Sequence, residues 1–335
     1  MPVVGTIANA SVAGLRGSAL PVQWVSVGDS GALYTSSERT PTVWTSRTSS
    51  FGSTNINSVA TDGLGTWVTV GASGKIASST DGITWTQRTS QFSTSPISWV
   101  AYGGGTWVAS GNAGKLSTST DGVTWTAVAP ATSGWSTSYA VGNVAYGNGV
   151  WVGVNANGTV RTATDPTGAW TSRTNPLGSR QHWCEYNTSL AIWSMGGESS
   201  STAGMASSTN GTTWTTRNIG GGVFPSQTIM WGSNSSTIVS STSTSGTWQM
   251  NTSTNGTTWS NVTEPTVSGT ISGTYPALSV RGYGEDILVG VNSDVGIGVF
   301  AYLWMTTDGS TFTSVQSPLV TVNHLAHRNG HQSIR

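Results

Sequence analysis

The chain has 335 residues, and its 13 basic and 13 acidic side chains give a formal net charge of zero. Only 8% of the residues are charged, Ser, Thr, Asn and 44 Gly dominate instead, and 17 Trp supply apolar surface for a folded core. Two lysines and scattered arginines cannot form the basic patch that nucleic-acid binding requires, and no apolar run approaches the roughly 20 residues that span a membrane.

Targeting and metal-binding signals are absent from the same sequence. The N-terminus lacks a charged segment followed by an apolar stretch, so we expect no signal peptide and synthesis in a cytoplasm. The single Cys184 excludes an intramolecular disulfide and is expected to be a buried thiol. If His324, His327 and His331 lie on a strand, their spacing does not bring the three imidazoles together around one ion. We therefore expect neither a metal nor a cofactor.

A period of about 40 residues organises the chain. Trp67 and Trp107 keep the same offset as Asp81 and Asp121, and both pairs lie in segments of nearly identical text. Weaker copies extend this pattern to seven repeats, at residues 10–47, 56–89, 97–128, 141–174, 181–217, 227–261 and 277–315. Five tryptophans share the second-strand position of their repeats: Trp24, Trp67, Trp107, Trp151 and Trp193.

Each repeat predicts four short strands, since Val, Ile, Thr and Trp alternate with period two and an Asp-Gly or Asn-Gly hairpin joins the third strand to the fourth. Because a four-stranded unit cannot bury both of its faces alone, this repetition predicts an all-β fold, a single β-propeller of seven four-stranded blades, with six or eight as alternatives. The expected divisions are an extension at 1–9, the propeller at 10–317 and a segment at 318–335. That last segment either closes the ring beside residues 11–15, which supply a first strand, or begins an incomplete extra blade.

The hairpin segments 79–85 and 119–125 resemble the Asp-box of sialidase-like propellers. The resemblance implies a structural role, in which the Asp or Asn oxygen binds backbone N–H groups of the turn and the Trp packs between blades. The positions that match the motif, some with Asn in place of Asp, are Asp81, Trp85, Asp121, Trp125, Asn210, Trp214, Asn255, Trp259 and Asp308. The first repeat departs from the motif, with Glu38 at the acidic position.

Strand alternation assigns the loops to two faces. Loops between first and second strands and between third and fourth strands lie on one face, here called the turn face. Loops between second and third strands and the connections between blades lie on the opposite, loop-rich face, where all the irregular insertions fall. The aromatic residues of these insertions are the candidate contact residues, with Trp135 as the expected exposed anchor: Trp135, Tyr139, Phe224 and Tyr275.

An enzyme of the sialidase type needs an arginine cluster and a tyrosine activated by a carboxylate. Glu185 points to the opposite face of its strand from Tyr186, so it cannot activate that phenol directly. Three tyrosines share one repeat position, which indicates packing: Tyr102, Tyr146 and Tyr186. Four arginines each follow a repeat Trp by three residues, on the outermost strand: Arg47, Arg88, Arg173 and Arg217. We therefore expect no enzymatic activity, and a glycan-binding or glycoside-hydrolysing propeller is the alternative.

The composition gives the functional hypothesis. A chain with almost no charge lacks electrostatic protection against association. Its Ser-, Thr-, Gly- and Asn-rich repeats resemble proteins of tailed-bacteriophage virions, which implies a non-enzymatic structural protein of the virion, a tail or host-contact component docking through the loop-rich face. The expected partners are other virion proteins, with a host surface glycan or receptor as a further class. A capsid decoration protein and an assembly factor built of the same blades are the alternatives.

Overall fold

A computed structural model describes residues 22–38, 41, 43–178, 181–197, 204–217, 230–233, 237–244, 247–262, 278–283, 286–294, 299–306, 308, 311–315 and 324–327. These residues form 28 β-strands and only short helical segments. Within them, no helix has the length and apolar character needed to cross a membrane.

The strands are numbered along the chain and grouped into blades. Blade 1 contains β1 (Trp24–Val27), β2 (Leu33–Ser36) and β3 (Thr45–Ser46). Blade 2 contains β4 (Ile56–Thr61), β5 (Trp67–Gly71), β6 (Ile76–Ser79) and β7 (Thr86–Arg88). Blade 3 contains β8 (Ile97–Gly103), β9 (Thr106–Gly111), β10 (Leu116–Ser119) and β11 (Thr126–Val128). Blade 4 contains β12 (Val141–Gly147), β13 (Val150–Asn155), β14 (Val160–Ala163) and β15 (Thr171–Arg173).

The remaining strands continue the same order. Blade 5 contains β16 (Gln181–Asn187), β17 (Ile192–Gly197), β18 (Gly204–Ser208) and β19 (Thr215–Arg217). Blade 6 contains β20 (Met230–Ser233), β21 (Ile238–Thr244), β22 (Thr247–Ser253) and β23 (Ser260–Val262). Blade 7 contains β24 (Leu278–Tyr283), β25 (Asp286–Asp294), β26 (Val299–Thr306) and β27 (Thr313–Val315), and the last strand is β28 (His324–His327). The helical segments are the 3-10 turns Asp29–Gly31, Ala72–Gly74 and Asn112–Gly114 and the single turn α1 (Pro130–Ser133).

The described strands form seven four-stranded antiparallel sheets. In six of these sheets the strand order follows the chain order. The first strands of successive blades contact one another from β4 through β24, and β28 contacts both β24 and β4, so the inner strands form a closed ring. The prediction of a seven-bladed β-propeller is confirmed, and the strands fall within the predicted repeats apart from β28 and the last residue of β23.

Blade 1 is completed by a strand from the far end of the sequence. β28 pairs with β1, with His327 opposite Trp24 and His324 opposite Val27. The inner position of this blade, predicted for residues 11–15, is therefore filled by β28. Residues 11–15 themselves lie outside the described part of the chain.

Tryptophan side chains form the packing between blades. The five indoles at the second-strand position are at most 1% exposed: Trp24, Trp67, Trp107, Trp151 and Trp193. Three of them contact the tyrosine of the neighbouring inner strand, with ring centroids 4.9 Å apart for Tyr102–Trp107, 5.3 Å for Tyr146–Trp151 and 5.1 Å for Tyr186–Trp193. Each large ring removes roughly 150–250 Å² from water, which compensates for the low apolar content of the sequence.

Cys184 lies within the packed layer between blades 4 and 5, as expected for a structural thiol. Burial, with a smaller contribution from the Glu185 carboxylate, raises the pKa of the Cys184 thiol far above its ordinary value. The thiol therefore stays protonated and unreactive at neutral pH.

Candidate functional site

The hairpin turn between the third and fourth strands is held by one acidic oxygen. In blade 3, Asp121 Oδ1 accepts hydrogen bonds from the N–H groups of Val123 and Thr124, both at 2.8 Å, and from the Ser119 hydroxyl. Ser119 Oγ in turn accepts the N–H of Gly122 at 2.9 Å. Gly122 has φ +71°, a left-handed conformation that favours glycine. The Asp-Gly pair is thus explained by turn geometry.

Asparagine performs the same task in other blades. Asn210 Oδ1 accepts the N–H groups of Thr212 and Thr213, both at 2.9 Å, and Asn255 Oδ1 makes equivalent bonds in blade 6. In blade 1, Glu38 Oε2 accepts the N–H of Val43 at 3.0 Å. Thr311 N–H donates to Asp308 Oδ1 at 2.8 Å in blade 7. The turn requires an acceptor oxygen and does not require a charge.

In blades 2, 3 and 5, the indole that follows the turn is hydrogen-bonded back to it. Trp85, Trp125 and Trp214 donate Nε1–H to the carbonyl of the turn glycine, at 3.0, 3.3 and 3.1 Å. These three indoles are buried, and Trp259 of blade 6 is partly exposed. The motif residues therefore form structural turns.

Hydrogen bonding keeps the turn aspartates ionised. The N–H groups of Thr124 and Val123 hold the pKa of Asp121 at about 2. At Asp81, burial opposes ionisation, but hydrogen bonds from Thr84 and Ile83 outweigh it and leave the pKa below its ordinary value. Both carboxylates are thus charged at all physiological pH values, on the turn face of the disc.

The turn face of blades 2 and 3 presents exposed apolar side chains. The Leu64 side chain is 76% exposed at the tip of the loop between β4 and β5. This loop is rigid, because Asp62 Oδ1 accepts the N–H groups of Leu64, Gly65 and Thr66 at 2.8, 3.0 and 2.9 Å. In the sequence, Leu64 stands between two glycines, a pattern that marks a loop tip.

The neighbouring turn of blade 3 packs against this loop. A Cβ placed on Gly122 would lie 3.2 Å from Thr66 Cγ2, and the next residue, Val123, is 40% exposed. Burial and the nearby Asp62 carboxylate also raise the pKa of Tyr102, which lies on the adjoining strand. We call the following six residues the blade 2–3 sector: Asp62, Leu64, Asp81, Ile83, Asp121 and Val123. At the positions of Ile83 and Val123, blades 5 and 6 carry Thr212 and Thr257.

Trp135, the expected exposed anchor of the loop-rich face, is buried and only 3% exposed, so that expectation is wrong. Its ring centroid lies 6.0 Å from that of Trp170, and the Arg161 guanidinium lies 5.7 Å from its ring. Trp135 fills the place that Phe51 and Phe92 take in the two preceding connections. An aromatic residue in each connection thus closes the gap between adjacent sheets.

The other three candidates of the loop-rich face have different outcomes. Tyr139 is 41% exposed, and its carbonyl accepts the N–H of Gly114 at 2.9 Å, which fixes the connection on the Asn112–Gly114 turn. Phe224 and Tyr275 lie outside the described residues. Among the described residues, four large apolar side chains are exposed: Val43, Leu64 and Val123 on the turn face, and Tyr139 on the loop-rich face.

The four arginines of the outer strands each bind within their own blade. Their Nε–H groups donate to a hydroxyl of the third strand: Arg47 to Thr35, Arg88 to Ser78, Arg173 to Thr162 and Arg217 to Ser207, at 2.7–2.9 Å. They hold the short outer strands in place and do not cluster. The described residues also contain no group of three or more His, Cys, Asp and Glu side chains able to hold a metal ion.

Several solved structures share this fold. No protein-family model matches the chain, and no curated protein matches it. YCF48 bound to D1 peptide is similar at 16% identity and a TM-score of 0.59, over 87% of this chain and 90% of that one. A protein from Lactobacillus plantarum is similar at 12% identity and a TM-score of 0.61, over 91% and 99% of the two chains.

A third similar structure is the Myceliophteria thermophila Cps50 (Swd1) β-propeller domain, at 9% identity and a TM-score of 0.59, over 86% of this chain and 98% of that domain. Identities this low establish the fold alone. The chain is a β-propeller, a fold that supports many unrelated functions.

Proposed function

We propose that this protein is a non-enzymatic docking subunit, which binds a protein partner through the blade 2–3 sector of the turn face. The observation that carries the proposal is the exposure of Leu64 at 76% on a loop fixed by three hydrogen bonds to Asp62. A loop whose backbone is already fixed loses little conformational entropy on binding, which makes its exposed apolar side chain an efficient contact residue. The similar structure of YCF48 bound to D1 peptide supports a protein-binding role for such a propeller.

The charge of the sector indicates the partner's chemistry. Asp62, Asp81 and Asp121 lie in the same loop or turn as Leu64, Ile83 and Val123 respectively, and hydrogen bonds keep the latter two aspartates ionised. We therefore propose a partner surface that combines an apolar pocket with lysine or arginine side chains. Complementary charge of this kind directs association and suppresses wrong partners.

The assembly that we propose is a tailed-bacteriophage virion, with the protein in the tail or the host-contact apparatus. Two features of the sequence support it: the zero net charge and the resemblance of its Ser-, Thr- and Gly-rich Asp-box repeats to virion proteins. We expect capsid and tail genes to lie beside the coding sequence of this protein. We also expect mass spectrometry of purified particles to detect the protein. Its absence from purified particles would refute the virion assignment.

A pair of variants on opposite faces tests the docking surface. Leu64→Ser removes an apolar contact worth about 1.5–3 kcal/mol, so the amount of protein that co-sediments with particles at limiting concentration should fall at least about tenfold. Tyr139→Ser, on the loop-rich face that the sequence analysis favours, is the matched control and should leave co-sedimentation unchanged. The reverse result would move the docking surface to the loop-rich face, and no association of the wild type would refute the docking role.

The dispersed arginines support a non-enzymatic role over a sialidase-like one. Arg47, Arg88, Arg173 and Arg217 each serve a separate blade, where a carboxylate-binding site needs them together. Incubation with sialosides and other glycosides should give no turnover. Arg281 lies on the inner strand β24, away from these outer strands, so turnover that Arg281→Ala abolishes would establish the enzymatic alternative.

A further inference from the structure

A polar depression of about 460 Å³ lies on the loop-rich face of blade 2. It is formed by the Ala72–Gly74 turn, by the end of β7 and by the chain that follows β7. Lys75 and Arg88 line it together with Ser73, Gln87, Thr89 and Ser93, and no apolar side chain takes part. Such a lining offers hydrogen-bond donors and positive charge but no surface for aromatic or aliphatic groups.

Two repeat positions coincide in this depression. The second is the last residue of the outer strand that pairs with the third strand, which in blade 2 is Arg88 opposite Ile76. The first is the residue just before that partner, which in blade 2 is Lys75. In the other described blades, the same two positions hold Ala32 and Arg47, Lys115 and Val128, Thr159 and Arg173, Gly204 and Arg217, Gln249 and Val262, and Tyr302 and Val315. Among the blades that the structure describes, blade 2 alone has a cation at both.

Both cations keep donors available for a ligand. Lys75 Nζ donates to the Phe51 carbonyl at 2.7 Å, which leaves two of the three ammonium protons. Arg88 Nε donates to Ser78 Oγ at 2.8 Å, which leaves the terminal nitrogens of the guanidinium. Within the described part of the chain, neither side chain bonds to a carboxylate, so the depression carries two positive charges.

Blade 3 shows what the lysine does when no arginine accompanies it. There Lys115 Nζ donates to the Phe92 carbonyl at 3.2 Å and to Ser95 Oγ at 3.0 Å, which ties the turn to the connection. The lysine therefore has a structural role that both blades share. The arginine likewise has a structural role that it shares with Arg173. Only their combination is particular to blade 2.

We propose that this depression binds a phosphomonoester. Such a group carries a charge of about −1.5 to −2 at neutral pH and three acceptor oxygens, which match the two cations and the surrounding hydroxyl and amide donors. Arginine and lysine are the side chains that recognise phosphate most strongly. A carboxylate, with a single charge, leaves one cation unmatched. This site is independent of the docking surface on the turn face.

The test uses the full chain and isothermal titration calorimetry at low ionic strength, with glycerol 3-phosphate as the ligand. Glycerol, inorganic phosphate and a tetraglutamate peptide are the reference ligands. Arg88→Val and Lys75→Thr place at each position the residue found in blade 3 or blade 4. Because a charge-assisted hydrogen bond contributes about 1.5–3 kcal/mol, each variant should weaken binding at least about tenfold.

Arg173→Val and Lys115→Thr are the matched controls, because they remove the same internal hydrogen bonds away from the depression. Both should keep wild-type affinity within about twofold, and added salt should weaken binding to the wild type because the site is open. Gln87→Ala, at an exposed lining residue, replaces Arg88→Val if that variant does not fold.

Four results would overturn the proposal. The first is no saturable binding of glycerol 3-phosphate, and the second is an equal loss of affinity in the control variants. The third is equal affinity for tetraglutamate, which would assign the depression to carboxylates of a protein partner. The fourth is equal affinity for inorganic phosphate, which would assign it to the free anion.

Discussion

The buried Trp135 leads to a prediction about volume compensation in blade 4. A Cβ added to Gly153 would lie 2.8 Å from Trp135 Cζ2 and 3.2 Å from Trp170 Cζ3. At the same register, blades 2 and 3 carry Thr69 and Ala109. The connections that lead into blades 2 and 3 contain the smaller Phe51 and Phe92 in place of Trp135. We therefore infer that position 153 is glycine because the Trp135 indole occupies the space that a side chain there would fill.

A double-mutant cycle tests this inference. Gly153→Ala forces overpacking of about 1–3 kcal/mol, partly offset by about 0.5–1 kcal/mol from the reduced freedom of the unfolded chain. Trp135→Phe opens a cavity, at a cost of about 1–2 kcal/mol, below the range for complete truncation of an indole. In the double variant the new methyl group enters that cavity. Its free energy of unfolding should therefore exceed the additive expectation by about 1–2 kcal/mol.

Urea unfolding, followed by far-ultraviolet circular dichroism, measures the four free energies. The matched experiment makes the opposite substitutions in blade 3. Phe92→Trp alone should overpack the core and lower the free energy of unfolding, and adding Ala109→Gly should recover part of that loss. Additivity within about 0.5 kcal/mol in both blades would refute the idea that these side chains share one space.

Two further predictions concern the turns and the ring. Asp121→Asn should keep stability at pH 7 within about 0.5 kcal/mol, because Asn210 makes the same hydrogen bonds. Since the Asp121 pKa is lowered from 3.8 to about 2, the stability that the ionised carboxylate contributes is fully present above pH 3.8 and is lost as the pH falls through about 2. The variant should therefore lose less stability than the wild type on acidification. Equal profiles of melting temperature against pH for the two proteins would contradict this. Deleting residues 318–335 removes β28 and unpairs β1, so the melting temperature should fall, and an unchanged value would refute closure by this strand.

The sequence predicted the blades well because several signals agree within each repeat. The buried tryptophan, the alternating strand residues and the Asp-Gly or Asn-Gly hairpin recur at constant spacing, and each has a local physical cause. The predicted repeat at 97–128 therefore coincides with β8 to β11. Strand pairing within blades 2 to 7 joins strands that are consecutive in the chain, and only blade 1 departs from this through β28.

The exposure of Trp135 was predicted wrongly because an insertion was treated as a free loop. Phe51 and Phe92 each lie five residues before the next inner strand, and Trp135 lies six before it, so the spacing already suggested a shared role. What the spacing does not reveal is the gap that these rings fill, because that gap exists only once two sheets have packed. The exposure of Leu64 depends in the same way on the Asp62 hydrogen bonds, which form only in the folded loop.

The pairing of β28 with β1 has a consequence for biosynthesis. A chain that emerges from the ribosome in order can pack blades 2 to 7 progressively, but the edge of β1 has no partner until nearly the entire polypeptide has been translated. Contacts between such distant segments form slowly, and an open strand edge is prone to aggregation while it waits. A circular permutant that starts in the connection between β3 and β4, and joins the original termini by a flexible linker, makes every blade contiguous in the chain and should therefore refold faster and with less aggregation than the natural order.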